Sequence, residues 1–109
     1  MASGATQLKT GSYVGNGTEL AVKVGFWPRT VEVVNGTDGS SLLLTDHMAK
    51  HPTTANRGGL KVNGADGVRS YLAPAAGMTI DDATGSGFSV FTDASCNTAD
   101  VVYFYRATN

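Results

Sequence analysis

Residues 87–107 read GFSVFTDASCNTADVVYFYRA, two alternating runs joined by a small polar segment. Phe88 and Val90, then Val101, Tyr103, Tyr105 and Ala107, recur at every second position, which is the period of a strand and not of a helix. Ser89, Val102, Phe104 and Arg106 fall on the opposite face. Between the runs, Asp93, Ala94, Ser95, Cys96, Asn97 and Thr98 are the small and Asx-type residues that build loops through side-chain to backbone hydrogen bonds. The stretch predicts a β-hairpin.

Working outward, the same period recurs along the chain. Thr10 to Val14 reads as a short strand, and Gly15-Asn16-Gly17 as the tight turn of a hairpin, since Asn-Gly supplies positive φ. Leu20, Val22 and Val24 alternate with Ala21 and Lys23. Gly25-Phe26-Trp27-Pro28 turns a corner, because proline lacks a ladder donor. Thr30 to Val34 resumes, and Ser41 to Thr45 carries three consecutive leucines. From Asp46 to Gly59 the pattern stops, giving a long loop with at most one helical turn before Pro52. Leu60 and Val62, Val68 to Ala73, and Met78 to Asp82 supply the remaining runs.

The count is seven to eight short strands separated by glycine-rich turns, with no amphipathic helix. This is the pattern of an all-β protein, an antiparallel β-sandwich or barrel-like sandwich. Val22, Val24, Val31, Val33, Phe88, Val90, Tyr103 and Tyr105 are the predicted core. Residues 1–8 are small and polar without periodicity and read as a flexible N-terminal arm, leaving 9–109 as a single domain.

Charged residues make up only 16% of the 109-residue chain, so the surface must be built largely from Ser, Thr, Asn and Gly. Such a surface suits a protein covered by partners better than one steered by charge. A net charge of −1 with scattered Lys and Arg argues against nucleic acid. The first residues lack a basic stretch and an apolar core, and no run is long enough to span a membrane. The expectation is synthesis and retention in a cytosol, with no membrane partner.

Candidate chemistry is sparse. His47 and His51 have the i, i+4 spacing of metal ligands, but only on a shared helical face, and Pro52 opposes that helix. Asp46, His47 and a serine form a triad on paper without a nucleophile elbow to select the serine. Asp81 and Asp82 are adjacent and point to opposite faces of a strand. Asn16-Gly17-Thr18 and Asn35-Gly36-Thr37 match a glycosylation acceptor and equally match turns. Cys96 has no basic neighbour in sequence to activate it and reads as a partly buried loop residue. No catalytic residue, cofactor or metal is predicted. Trp27 is either a corner plug in the core, the preferred reading, or an exposed ring that stacks on a sugar or anchors a partner.

Two sets of residues carry a resemblance. Gly87-Phe88-x-Val90, Asp93-Ala94, Asn97 and Tyr103-x-Tyr105-x-Ala107 form one; Gly11-Ser12-Tyr13-x-Gly15-Asn16-Gly17 with Val24-Gly25-Phe26-x-Pro28-x-x-Val31 forms the other. Together they resemble the signature of a family of small β-sandwich modules in the virion proteins of tailed bacteriophages, in fibres and in capsid decoration proteins. Residues 38–86 have no counterpart in it. The resemblance implies a structural viral protein and no enzyme: a capsid decoration (cement) protein, made in the host cytoplasm and placed on the capsid exterior. Its partner would be the major capsid protein, and its action the stabilisation of contacts between capsomers. The alternative is a fibre or spike domain that binds a host cell-surface glycan. Because Leu42-Leu43-Leu44 must be covered on both sides, by a second sheet or by a neighbouring subunit, the expected state is a homotrimer about a threefold axis. The candidate partner-binding residues are Leu42, Leu43, Leu44 and Trp27, with Ala2, Ser3 and Thr6 in the arm.

Overall fold

A computed structural model describes residues 7–50, 52–81 and 86–109. Among these the alternating runs become nine strands: β1 (Leu8–Val14), β2 (Leu20–Lys23), β3 (Thr30–Asn35), β4 (Ser41–Thr45), β5 (Leu60–Val62), β6 (Arg69–Tyr71), β7 (Met78–Asp81), β8 (Gly87–Val90) and β9 (Val102–Thr108). The long connection after β4 holds one helical turn, α1 (Asp46–Ala49), capped by the Thr45 hydroxyl accepting from the Met48 N–H, and a single 3-10 turn over Thr54–Asn56. The sequence expectation of at most one turn before Pro52 agrees with α1.

The strands make two antiparallel sheets. The wide one has the order β1-β9-β3-β4-β5-β6 and the narrow one β2-β8-β7. Strands β3 to β6 follow one another as a meander, whereas the chain changes sheet between β1 and β2, β2 and β3, β6 and β7, and β8 and β9. The all-β sandwich expected from the alternation is therefore the observed architecture.

Two pairings differ from expectation. Residues 87–107 are not a hairpin: β8 lies between β2 and β7, and β9 lies between β1 and β3. Likewise β1 and β2 do not pair across Gly15-Asn16-Gly17, although Gly17 does take a positive φ of 77°. In both cases the turn residues are where the sequence put them. The strands they join go to opposite sheets because each has an inner apolar face that must be met by the other layer.

All eight predicted core residues are buried, and Leu42, Leu44, Met78, Cys96 and Ala107 join them. At the centre, Tyr13 stacks on Tyr103 with ring centroids 5.4 Å apart, and Phe88 meets Tyr105 edge-on at 5.5 Å, so aromatic contacts bind the two layers. The buried phenols keep their hydrogen bonds. Tyr13 donates to the Cys96 carbonyl at 2.7 Å, and Tyr103 donates to Ala94 O at 2.8 Å while accepting from the Thr98 N–H. Burial pushes the Tyr13 phenol far above its ordinary pKa.

The β8–β9 connection, residues 91–101, is fastened at three points. Lys61 of β5 pairs with Asp93 at 3.1 Å. Burial alone would raise the Asp93 carboxyl, but hydrogen bonding from Ser95 and the Lys61 ammonium hold it below the usual value. Cys96 is fully buried beneath the loop, its Sγ 3.6 Å from Gly77 O and from Asp93 O. Asn97, also fully buried, reaches across to the β1–β2 loop: its Oδ1 accepts from Asn16 N–H at 2.8 Å, and its Nδ2 donates to Phe91 O at 2.6 Å and to Thr18 O. The glycine at position 15 is required there, since a Cβ on it would sit 2.2 Å from Thr98 O.

The sequence reading of Cys96 as partly buried understates its enclosure. Burial pushes the thiol up to about 11, so at pH 8 only about one molecule in a thousand carries the thiolate. Native protein is expected to leave Ellman's reagent unreacted over hours at pH 8 and to react within minutes in 6 M guanidinium. Prompt reaction of the native thiol would show that the loop opens freely.

Just beyond the β1–β9 ladder, Asn109 N–H donates to Gln7 O at 3.2 Å, and Gln7 N–H donates to Asn109 Oδ1 at 3.0 Å.

Candidate functional site

The outer face of the wide sheet follows from the register. Phe104 lies beside Ser12 and Val34, Val34 beside Ser41, and Ser41 beside Val62. One row along, Arg106 lies beside Thr10 and Glu32, and Leu43 between Glu32 and Leu60, with Tyr71 beyond. Val14 opposes Val102 at the near end. Phe104 is 55% exposed, Val14 55% and Tyr71 54%, so large apolar side chains stand in solvent along a face otherwise made of Ser, Thr and a few charged residues. Among the described residues one ion pair crosses the middle, Arg106 to Glu32 at 3.4 Å, and it cancels itself, while exposed Arg69 extends the Phe104 row beyond Val62 at the β6 edge. A concentration of large exposed apolar side chains on one sheet face marks a candidate contact surface.

The wide sheet also has an open edge. The bonds Gly15 N–H to Val101 O and Asn109 N–H to Gln7 O set the phase of β1 against β9. Odd-numbered residues of β1 bond to β9, and Leu8, Thr10, Ser12 and Val14 turn their main-chain groups outward. One lysine, Lys9, is the only charge on this edge strand, which otherwise lacks the prolines and bulges that protect edges.

The leucine triplet divides. Leu42 and Leu44 are fully buried on the inner face, so the second sheet covers them, and they are not available to a partner. Leu43 alone reaches the outer face, where it is half-buried. Trp27 is 54% exposed and is not a core plug. Through the corner, Phe26 packs against the core and Pro28 is fully buried, which leaves the indole between them facing out. Ala2, Ser3 and Thr6 lie outside the described residues.

Trp27 stands at an open cleft of about 540 Å³ lined by Trp27, Arg29, Asp46, Ala49, Lys50 and Ile80. The cleft sits at one end of the sandwich, where the chain enters β3 and leaves β4 into α1. Its floor is fixed by the main chain: Arg29 N–H donates to Thr108 O at 2.7 Å, and Arg29 O accepts from Asp46 N–H at 2.8 Å. The sequence reading had no route to this grouping, because Asp46, Lys50 and Ile80 are distant from Trp27 in the chain.

Among the described residues, no group of three or more His, Cys, Asp or Glu stands together. His47 is exposed on α1, and His51 lies outside the described residues. No helix among them is long and apolar enough to cross a membrane. Comparison of the chain with protein-family models, with curated proteins and with solved structures finds no match in any of the three.

Proposed function

We propose that the chain is a bacteriophage capsid decoration protein, which binds the outside of the mature shell through the outer face of its wide sheet and holds neighbouring capsomers together. The observation that carries this reading is that face: Val14, Val102, Phe104, Leu43 and Tyr71 stand on it, and the one ion pair found there among the described residues, Arg106 to Glu32, is internally compensated. It asks for a partner of matching apolar character, not for a charged ligand. The open edge of β1 adds main-chain donors and acceptors that an extended segment of a neighbour can pair with. The partner is the major capsid protein, and three copies of the chain gather about a threefold axis.

A ligand that binds only the closed arrangement of capsomers stabilises it by mass action. At about 1–3 kcal/mol per copy the contributions add over a shell of many sites. Particles depleted of the protein are therefore expected to assemble but to release their genome at lower temperature, and added protein restores them. Phe104→Asp, placed on an exposed position, should fold normally and fail to restore. Depleted particles that are equally heat-stable but do not adsorb to cells would overturn the proposal in favour of host recognition.

A further inference from the structure

Independently of the wide sheet, we infer that the Trp27 cleft is a binding site for an acidic saccharide. The argument starts with what is exposed. Trp27 is the only tryptophan of the chain, and the corner displays it instead of burying it, although a large aromatic side chain stabilises most when enclosed. An exposed indole face, apolar and flat, matches the C–H face of a pyranose ring. Ile80 and Ala49 complete a small apolar wall. Around it, Arg29, Asp46 and Lys50 provide the planar and rotatable donors and acceptors that vicinal hydroxyls require.

Charge selects the class. Two cationic side chains face one carboxylate in the cleft, and no ion pair or side-chain hydrogen bond to another described residue engages Arg29, Asp46 or Lys50. A sugar bearing one carboxylate satisfies the surplus cation, with the guanidinium as the bidentate partner and the ammonium as the point charge. A volume of about 540 Å³ lies within the range of small-molecule sites, roughly 300–1,000 Å³. Preorganisation follows from the anchored backbone: Gly25 at φ +87° and buried Pro28 set the corner, and the Arg29 main chain is bonded on both sides, so binding orders little besides side chains. The cleft is at the end of the sandwich and not on the wide sheet's outer face, so the two surfaces are distinct.

The lone tryptophan reports its own occupancy. Intrinsic fluorescence of the full chain would be titrated with galacturonate trimer and with sialyllactose, beside maltotriose as the neutral sugar and sodium sulfate as the sugar-free anion, at constant ionic strength. A saturable change with at least one acidic sugar, a response at least about tenfold weaker with maltotriose and none with sulfate is the expected result. Arg29→Gln and Lys50→Gln should each weaken binding about tenfold by calorimetry, and Trp27→Phe should retain part of what Trp27→Ala loses. All three positions lie at the surface, and unchanged thermal unfolding would confirm that the four variants fold. Equal responses to maltotriose and the acidic sugars, an equal response to sulfate, or silence from both acidic sugars up to about 10 mM would each overturn the inference. These outcomes leave the thermal behaviour of decorated particles untouched, so the two readings fail separately.

Discussion

Replacing Asn97 with alanine is expected to destabilise the domain by about 3–4 kcal/mol, one of the largest losses from any single change. The side chain is fully buried and joins two segments: Asn16 and Thr18 in the β1–β2 loop, and Phe91 at the exit of β8. Its own main chain continues the clasp, with Asn97 O accepting from Gly17 N–H at 3.0 Å and Asn97 N–H donating to Asp93 O at 3.0 Å. Truncation leaves one N–H and two carbonyls without the partners they have in the native state, at about 1–3 kcal/mol for each that water does not reach. Asn97→Asp should be at least as harmful, because it keeps the acceptor, loses both donors and adds a buried charge. Asn63 makes a useful contrast. Its Oδ1 also closes an Asx turn, accepting from Ala65 N–H at 2.9 Å, but in an exposed loop where water substitutes, so Asn63→Ala should cost less than about 1 kcal/mol. Urea unfolding with an unchanged slope is the measurement. A loss below about 1 kcal/mol for Asn97→Ala would mean that the two loops are held by their backbones alone.

The same residue shows how far the sequence could be read. Alternation identified which side chains face inward at Val22, Val31, Phe88 and Tyr103, because that depends only on the local period of two and on apolarity. It could not identify the neighbour of a strand. Phe88 and Tyr103 sit on strands in different sheets, and nothing local to residues 87–107 distinguishes a hairpin from a strand pair that separates across a sandwich. The information lies in which distant strands offer a matching edge and in the buried contacts of Asn97, which read in sequence as one more polar loop residue. Trp27 failed for another reason. The general preference of tryptophan for the interior points inward, yet the corner buries Pro28 and half-buries Phe26, which turns position 27 outward. The cleft beside it was illegible, since Asp46 and Ile80 meet Trp27 only through the folding of both sheets.

Within Leu42-Leu43-Leu44, alternate residues are expected to respond oppositely to substitution. Leu42→Ala and Leu44→Ala should each destabilise the fold by about 2–5 kcal/mol, since both side chains are fully enclosed between the sheets and each truncation leaves a cavity that the flanking strands fill only in part. Leu42 lies opposite Val33 and Leu44 opposite Val31, in the most tightly enclosed part of the wide sheet. Leu43→Ala removes a half-buried side chain from the outer face and should cost about 1 kcal/mol or less. The informative variant is Leu43→Lys. A lysine can lay its methylenes over the sheet beside Leu60 and keep its charge in water, so the isolated domain should keep most of its stability. If the outer face is where copies or the shell are met, the ammonium must be stripped of water on association beside a Glu32 that Arg106 already pairs, and attachment should be weakened while folding is retained. Thermal unfolding separates the first effect, and light scattering together with binding to depleted particles separates the second. Retention of full attachment by Leu43→Lys would place the contact elsewhere on the molecule, because desolvating an ammonium beside an already paired Glu32 in an apolar contact is not tolerated at small cost.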